Sequence, residues 1–212
     1  MNTTELLADL RTELFDSVAP YFWSDGTLYK YIDDAQKQFC RLTYGIEDAR
    51  SFKLKVVPDT EWYKYDPSIL KVRSVVDAAT GRDVPLVPVE KMASMNLRFD
   101  GLKAPIRNLI TGLEKGSFRA HPMPSVAATL DMRVFRLSNT VGAGDDFEID
   151  EQHHIFLMLW CKHRAYGVQD ADTYDAKKAA EYQEKFERYC AAAKVEQSRL
   201  MHSAGAVVYG GI

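Results

Sequence analysis

Three histidines and a cysteine fall within eleven residues, His153, His154, Cys161 and His163, and Asp145, Asp146, Glu148 and Asp150 stand just ahead of them. Imidazole, thiolate and carboxylate are the ligand set of zinc, so a metal site is the first chemistry to weigh. The spacing argues against it. A helix brings ligands to one face at i and i+3 or i+4, whereas His153 and His154 point about 100° apart and Cys161 and His163 are two residues apart. Structural use of the histidines, at a helix start or an interface, is the simpler expectation. The acids then read as favourable negative charge at a helix N-terminus. Gly142-Ala143-Gly144 does not make a phosphate loop, because two aspartates follow it and no Lys-Ser or Lys-Thr does. With no Gly-x-Ser-x-Gly elbow and no Cys-x-x-Cys pair, the chain is expected to be no enzyme and to carry no metal or cofactor.

Charge offers a second chemistry. Residues 1–50 sum to −4, residues 51–138 to +5 and residues 139–212 to −4, although the whole 212-residue chain is only −3. In the basic middle, Lys53, Lys55, Lys71, Arg73, Arg133 and Arg136 accompany the aromatics Trp62, Tyr63 and Tyr65. Those are the ingredients of a single-strand nucleic-acid platform, which makes a nucleic-acid-binding module over residues 51–138 the alternative reading. They are equally the solvated face of an ordinary sheet, or a basic surface that meets an acidic one on another copy or partner.

The elements that would position these residues change period at nearly the same places. Leu6, Leu7, Leu10, Leu14 and Val18 recur at helical spacing until Pro20. Ser24 is placed to cap a second helix, with Trp23 and Leu28 as its hydrophobic staple and Gly45 beyond its end. From Phe52 the period becomes two. Strands are expected around Phe52 to Val56, Ile69 to Arg73, Ile106 to Ile110, Ser117 to Ala120 and Leu130 to Phe135. The run Val84 to Val89 contains Pro85 and Pro88, which confines it to a sheet edge. A third long helix is expected over Glu151 to Tyr166, with Ile155 to Cys161 apolar all round and therefore central. A fourth, capped near Asp172, carries the stripe Ala179, Tyr182, Phe186, Tyr189 and Ala193.

The expected fold class is therefore α+β: a helical bundle of about four helices from both chain ends, with an inserted, mostly antiparallel β module. The boundaries are 1–49 and 139–202 for the bundle, 50–138 for the β module and 203–212 for an extended, uncharged tail. The bundle core is expected from Leu10, Leu14, Trp23, Leu28, Ile32, Phe39, Ile155, Leu159, Trp160, Tyr182 and Phe186. In the tail, Val207, Val208, Tyr209 and Ile212 are costly to leave in water and fit a strand or anchor added to a partner.

Composition closes off other classes. The 46% hydrophobic and 27% charged content excludes disorder, and no apolar run reaches the 18 or so residues of a membrane span. Glu5 and Asp9 interrupt the first leucines, so a secretion signal is not expected. Cys40, Cys161 and Cys190 are odd in number and set in apolar stretches, as reduced core thiols would be.

Three segments in order, Tyr-Phe-Trp-Ser-Asp-Gly-Thr-Leu-Tyr-Lys-Tyr-Ile-Asp-Asp-Ala-Gln (21–36), Pro-Met-Pro before Leu-Asp-Met-Arg-Val-Phe-Arg-Leu (130–137), and Phe147 to Asp175, carry a resemblance. The chain resembles the head-to-tail adaptor (connector) proteins of tailed phages, most like those of short-tailed phages. That resemblance implies a virion structural protein made in the host bacterial cytoplasm and placed at the head-tail junction. It implies a homo-oligomeric ring, typically of twelve copies, beneath the portal protein. The ring extends the DNA ejection channel, docks the tail nozzle or tube protein and meets double-stranded DNA only as passing cargo. It also implies a terminal segment inserted between portal subunits, for which Val207, Val208, Tyr209 and Ile212 are the portal-binding candidates. No membrane partner is implied. The acidic helices are expected to supply more of the channel than the basic β module, since a wall attracting phosphate would retard DNA.

Overall fold

The structure, a computed structural model, describes residues 1–92, 101–169 and 172–201. Val207, Val208, Tyr209 and Ile212 lie outside the described residues, as does most of the run from Met92 to Gly101. The fold is α+β, and the chain divides into two compact units. One is Met1–Ile46 together with the chain from Ser138 onward, and the other is Glu47–Leu137.

The first unit is helical: α1 (Thr3–Glu13), α2 (Asp25–Leu42), α4 (Leu157–Tyr166) and α5 (Ala176–Met201), with a 3-10 segment at Glu151–Phe156. Asn2 and Glu5 close a reciprocal capping box on α1, and Ser24 Oγ accepts from the Thr27 N–H at 3.2 Å on α2. α4 packs against α1, α2 and α5. Leu10, Leu14, Trp23, Leu28, Ile32, Phe39, Trp160 and Phe186 are buried, while Leu159 and Tyr182 are half-buried. Trp160 meets Phe186 at 5.3 Å between ring centroids, and its Nε1 donates to Asp34 Oδ2 at 2.8 Å.

Three expectations fail here. The first helix stops at Glu13 and not near Pro20, so Val18 leaves the stripe and is 81% exposed. The third helix is α-helical only from Leu157. Ahead of it the tighter 3-10 winding, at three residues per turn, turns His153 and His154 inward and Ile155 and Phe156 outward. Ile155, expected in the core, is 43% exposed for that reason. The cap of α5 is Asp175 and not Asp172, its Oδ1 accepting from the Lys178 N–H at 2.9 Å.

The second unit holds β1 (Ile46–Val56), β2 (Trp62–Lys64), β3 (Ile69–Asp77), β4 (Leu86–Pro88), the short α3 (Val89–Met92), β5 (Lys103–Ala104), β6 (Asn108–Thr111), β7 (Ser117–His121), β8 (Met123–Pro124) and β9 (Ala128–Arg136). One sheet has the order β1-β9-β3, a second β2-β7-β6-β4, and β5 pairs with β8. β3 and β9 run antiparallel with Val75 opposite Met132, and β6 and β7 form a hairpin whose loop bends at Gly112 and Gly116, both at positive φ. β4 is an edge strand, consistent with its prolines, but it joins β6 in parallel. The period-two pattern sends Leu130, Met132 and Val134 into a core shared with Leu109 and Phe118 of the second sheet.

Candidate functional site

The residues with the most reactive side chains are committed to structure. His153 Nδ1 is 2.8 Å from the Tyr189 hydroxyl and its ring lies on Phe39 at 4.7 Å. His154 Nε2 donates to the Ile149 carbonyl at 2.9 Å, and His163 Nδ1 donates to the Ala179 carbonyl at 3.0 Å. Burial lowers the His153 pKa, which favours the neutral ring. It pushes the Cys161 thiol well above its usual range. Among the described residues no group of three or more His, Cys, Asp or Glu side chains converges as a metal site.

The acids ahead of the histidines serve the loop more than the helix. Asp145 Oδ2 accepts from the Gly142 N–H at 2.7 Å, and Glu148 accepts from the Asn139 N–H at 2.6 Å and its Nδ2 at 2.9 Å. Of the four acids expected at a helix start, Asp150 alone stands at the N-cap of the 3-10 segment, and its side chain makes no capping hydrogen bond. Gly142 to Gly144 is thus a pinned turn, tied also by the Thr3 hydroxyl on the Gly142 carbonyl at 2.7 Å.

Much of the basic charge on the β unit is paired. Arg73 and Arg133 share Glu47 Oε1 at 2.6 Å each, Arg136 holds Asp48, Lys53 holds Asp131, Arg119 holds Glu61 and Lys103 holds Asp59. The Glu47 and Asp48 carboxylates, at the start of β1, therefore pair with three arginines that sequence spacing alone presents as a basic face and offset two of their three charges.

The feature without an internal purpose is apolar. At the end of α1 the Leu14 N–H reaches the Leu10 carbonyl at 2.9 Å, and Phe15 turns the chain at φ 58°. A bulky residue in the left-handed region is strained by about 1–3 kcal/mol and persists only where the surroundings enforce it. Arg11 does so here. Its guanidinium is buried and bonds Asp16 Oδ2 at 2.5 Å, Asp25 Oδ1 at 2.5 Å and the Trp23 carbonyl at 2.9 Å, with the Tyr21 ring 3.9 Å away. Asp16 Oδ1 accepts from the Phe22 N–H at 2.8 Å. The network leaves Phe15 90% exposed and Phe22 64% exposed, and presents Val18 and Tyr21 beside them.

Next to this loop is an open groove of about 380 Å³, lined by Leu14, Phe15, Phe22, Tyr166 and Tyr174. Asp172, Thr173, Asp175 and Lys178 complete its lining. Exposed large apolar groups gathered on one loop are the kind of patch that marks a candidate contact surface. Sequence reasoning placed Val18 on the core stripe and missed this surface. The available signal was Arg11 on an otherwise apolar helix face, with Asp16 and Asp25 in reach.

Among the described residues no helix is long and apolar enough to cross a membrane. No curated protein matches the chain. A family model does, that of the SU10 adaptor protein, over residues 1–208, a span that takes in the helices, the inserted strands and the exposed loop alike. A chain matched over nearly its whole length belongs to the SU10 adaptor protein family of phage head-to-tail adaptors.

Proposed function

We propose that this protein is a virion structural component that assembles as a ring beneath the portal at the head-tail junction. The ring has about twelve copies, as in the adaptors it resembles, extends the DNA channel and docks the tail nozzle or tube of a short-tailed phage. It acts by geometry rather than catalysis. A modest contact repeated around a ring gains avidity on the portal template, so copies stay dispersed until a portal is present. The observation that carries this reading is the family match over residues 1–208. The locked, exposed Phe15 and Phe22 support it, because a protein that works alone has no use for holding them in water. The bundle boundaries 1–49 and 139–202 belong to the same proposal, as does the tail segment Val207, Val208, Tyr209 and Ile212 as the portal anchor. The helices, in this reading, line more of the lumen than the β strands.

Light scattering after size exclusion tests it, on the full chain alone and mixed with the portal protein of the same phage. Association at one fixed ring stoichiometry is expected, and deleting residues 203–212 should abolish it. A chain that ignores intact portal rings would refute the proposal and return attention to nucleic-acid binding by residues 51–138.

A further inference from the structure

The two units of the chain are oppositely charged. The helical unit carries 12 basic and 19 acidic residues, a net −7, and the β unit 15 and 11, a net +4. Each also bears an exposed apolar feature. On the helical unit it is the Phe15 and Phe22 projection described above. On the β unit it is a shallow hollow of about 570 Å³, lined by Lys55, Val56, Ala78, Ala79, Ala127, Ala128 and Thr129. Small side chains leave the space there, and Ala78, Ala79 and Ala127 are exposed. Val57 and Val126, the next residues along the chain from this lining, are each 53% exposed.

The free charges at the two sites are opposite as well. Asp172 lines the Phe15 groove and Lys55 lines the hollow. Neither is in an ion pair among the described residues, whereas Lys53, two residues from Lys55, is bound to Asp131. The sheet turn beside the hollow is rigid, with the Ala78 N–H on the Thr129 carbonyl at 2.9 Å and Asp77 Oδ1 accepting from the Ala79 N–H at 2.9 Å.

We infer that the Phe15 projection of one copy docks into the alanine-lined hollow on the β unit of the next copy, with Asp172 meeting Lys55. The inference rests on the ring proposed above and names its contact. Two different patches that match each other make a heterologous, head-to-tail interface, the kind that closes into a ring when the rotation per copy allows. Aromatic anchors in preformed hollows carry most of the affinity in such contacts, and opposite charge sets their orientation and encounter rate. A second copy is therefore the occupant that the opposite charges of the two units and the unpaired Asp172 and Lys55 select.

Disulfide trapping on the portal template tests this directly, since the three native cysteines are buried. Copies carrying only Phe15→Cys are mixed with copies carrying only Ala127→Cys, added to portal rings and mildly oxidised. A linked pair that requires both variants, and that is absent when either is mixed with wild type, is expected. In parallel, Asp172→Lys and Lys55→Asp should each weaken copy-to-copy association at least tenfold, and mixing the two charge-reversed chains should recover much of it. Wild-type rings that form normally while no trapped pair appears and both charge reversals behave as wild type would overturn this contact and leave the ring proposal standing. Failure of wild-type chain to form any ring would overturn both.

Discussion

The guanidinium of Arg11 and the carboxylate of Asp16 lie 2.5 Å apart with side-chain exposures of 9% and 1%, and that pair decides the shape of the loop between the first two helices. Asp16 in turn takes the Phe22 N–H, so one ion pair positions both ends of the projecting segment. Removing the cation leaves a buried, uncompensated carboxylate. Arg11→Leu is expected to destabilise the helical unit by about 3–5 kcal/mol, read from urea unfolding followed by helical circular dichroism. A cost under about 1 kcal/mol, the size of an exposed pair, would mean that the loop is held some other way.

Phe15 should set stability against assembly. Its left-handed backbone costs a side-chain-bearing residue roughly 1–2 kcal/mol, while Asn tolerates that region. Phe15→Asn is therefore expected to raise the melting temperature of the free chain while weakening association between copies by at least tenfold. Should the variant melt lower than wild type, the φ of 58° is not a source of strain.

His153 should make the helical unit acid-sensitive below its ordinary titration range. Burial holds its pKa below the ordinary value, with Asp150 and Glu196 pulling more weakly the other way. Because the folded value is depressed, the contribution is whole above the unfolded value near pH 6.5 and is lost as pH falls through the folded one. Wild-type melting temperature should fall as pH drops below about 6.5, and His153→Gln, which cannot titrate, should flatten that slope. Equal slopes in the two proteins would remove His153 as the cause.

Asp48 adds a separate acid limit on the β unit. Burial opposes its charge. The N–H groups of Arg50 and Ser51, at 3.0 and 2.9 Å, the Ser51 hydroxyl and the Arg136 guanidinium outweigh that and hold the carboxyl well below its usual range. Its contribution is complete above the unfolded value near pH 4 and declines as pH drops below it. Asp48→Asn should cost about 1.5–3 kcal/mol at neutral pH and remove that part of the acid loss. Circular dichroism of the β unit across an acid titration is the measurement.

The cysteines should be chemically silent in the folded chain. Burial pushes the Cys190 thiol up to about 12 and raises Cys161 as well, and Cys40 is fully enclosed. Since the thiolate is the reactive form, a disulfide reagent at about pH 8 should modify none of the three until denaturant is added. Rapid labelling of native protein would show that the helical unit opens locally.

The amino-acid sequence by itself determined the type and order of the long elements, but not the 3-10 segment at Glu151–Phe156 or the short β2, β5, β8 and α3. The caps at Ser24, the period of two in Leu130, Met132 and Val134, and the edge position of the proline-bearing strand depend only on neighbours within a turn or a pleat. Burial within the helices was legible for the same reason at Leu10, Ile32 and Phe186. Tertiary structure decided the rest, because charge compensation and exposure are settled by residues distant in the chain. Glu47 gathers Arg73 and Arg133 from 26 and 86 positions away, which dissolves part of the apparent basic face. The local spacing of Ile155 marks it as core, yet the 3-10 winding that buries His153 against Phe39 and Tyr189 turns it outward. The contact surface was the least legible. Its apolar side chains are ordinary in composition, and the buried Arg11, bonded to Asp16 and Asp25, helps hold Phe15 and Phe22 where they face solvent.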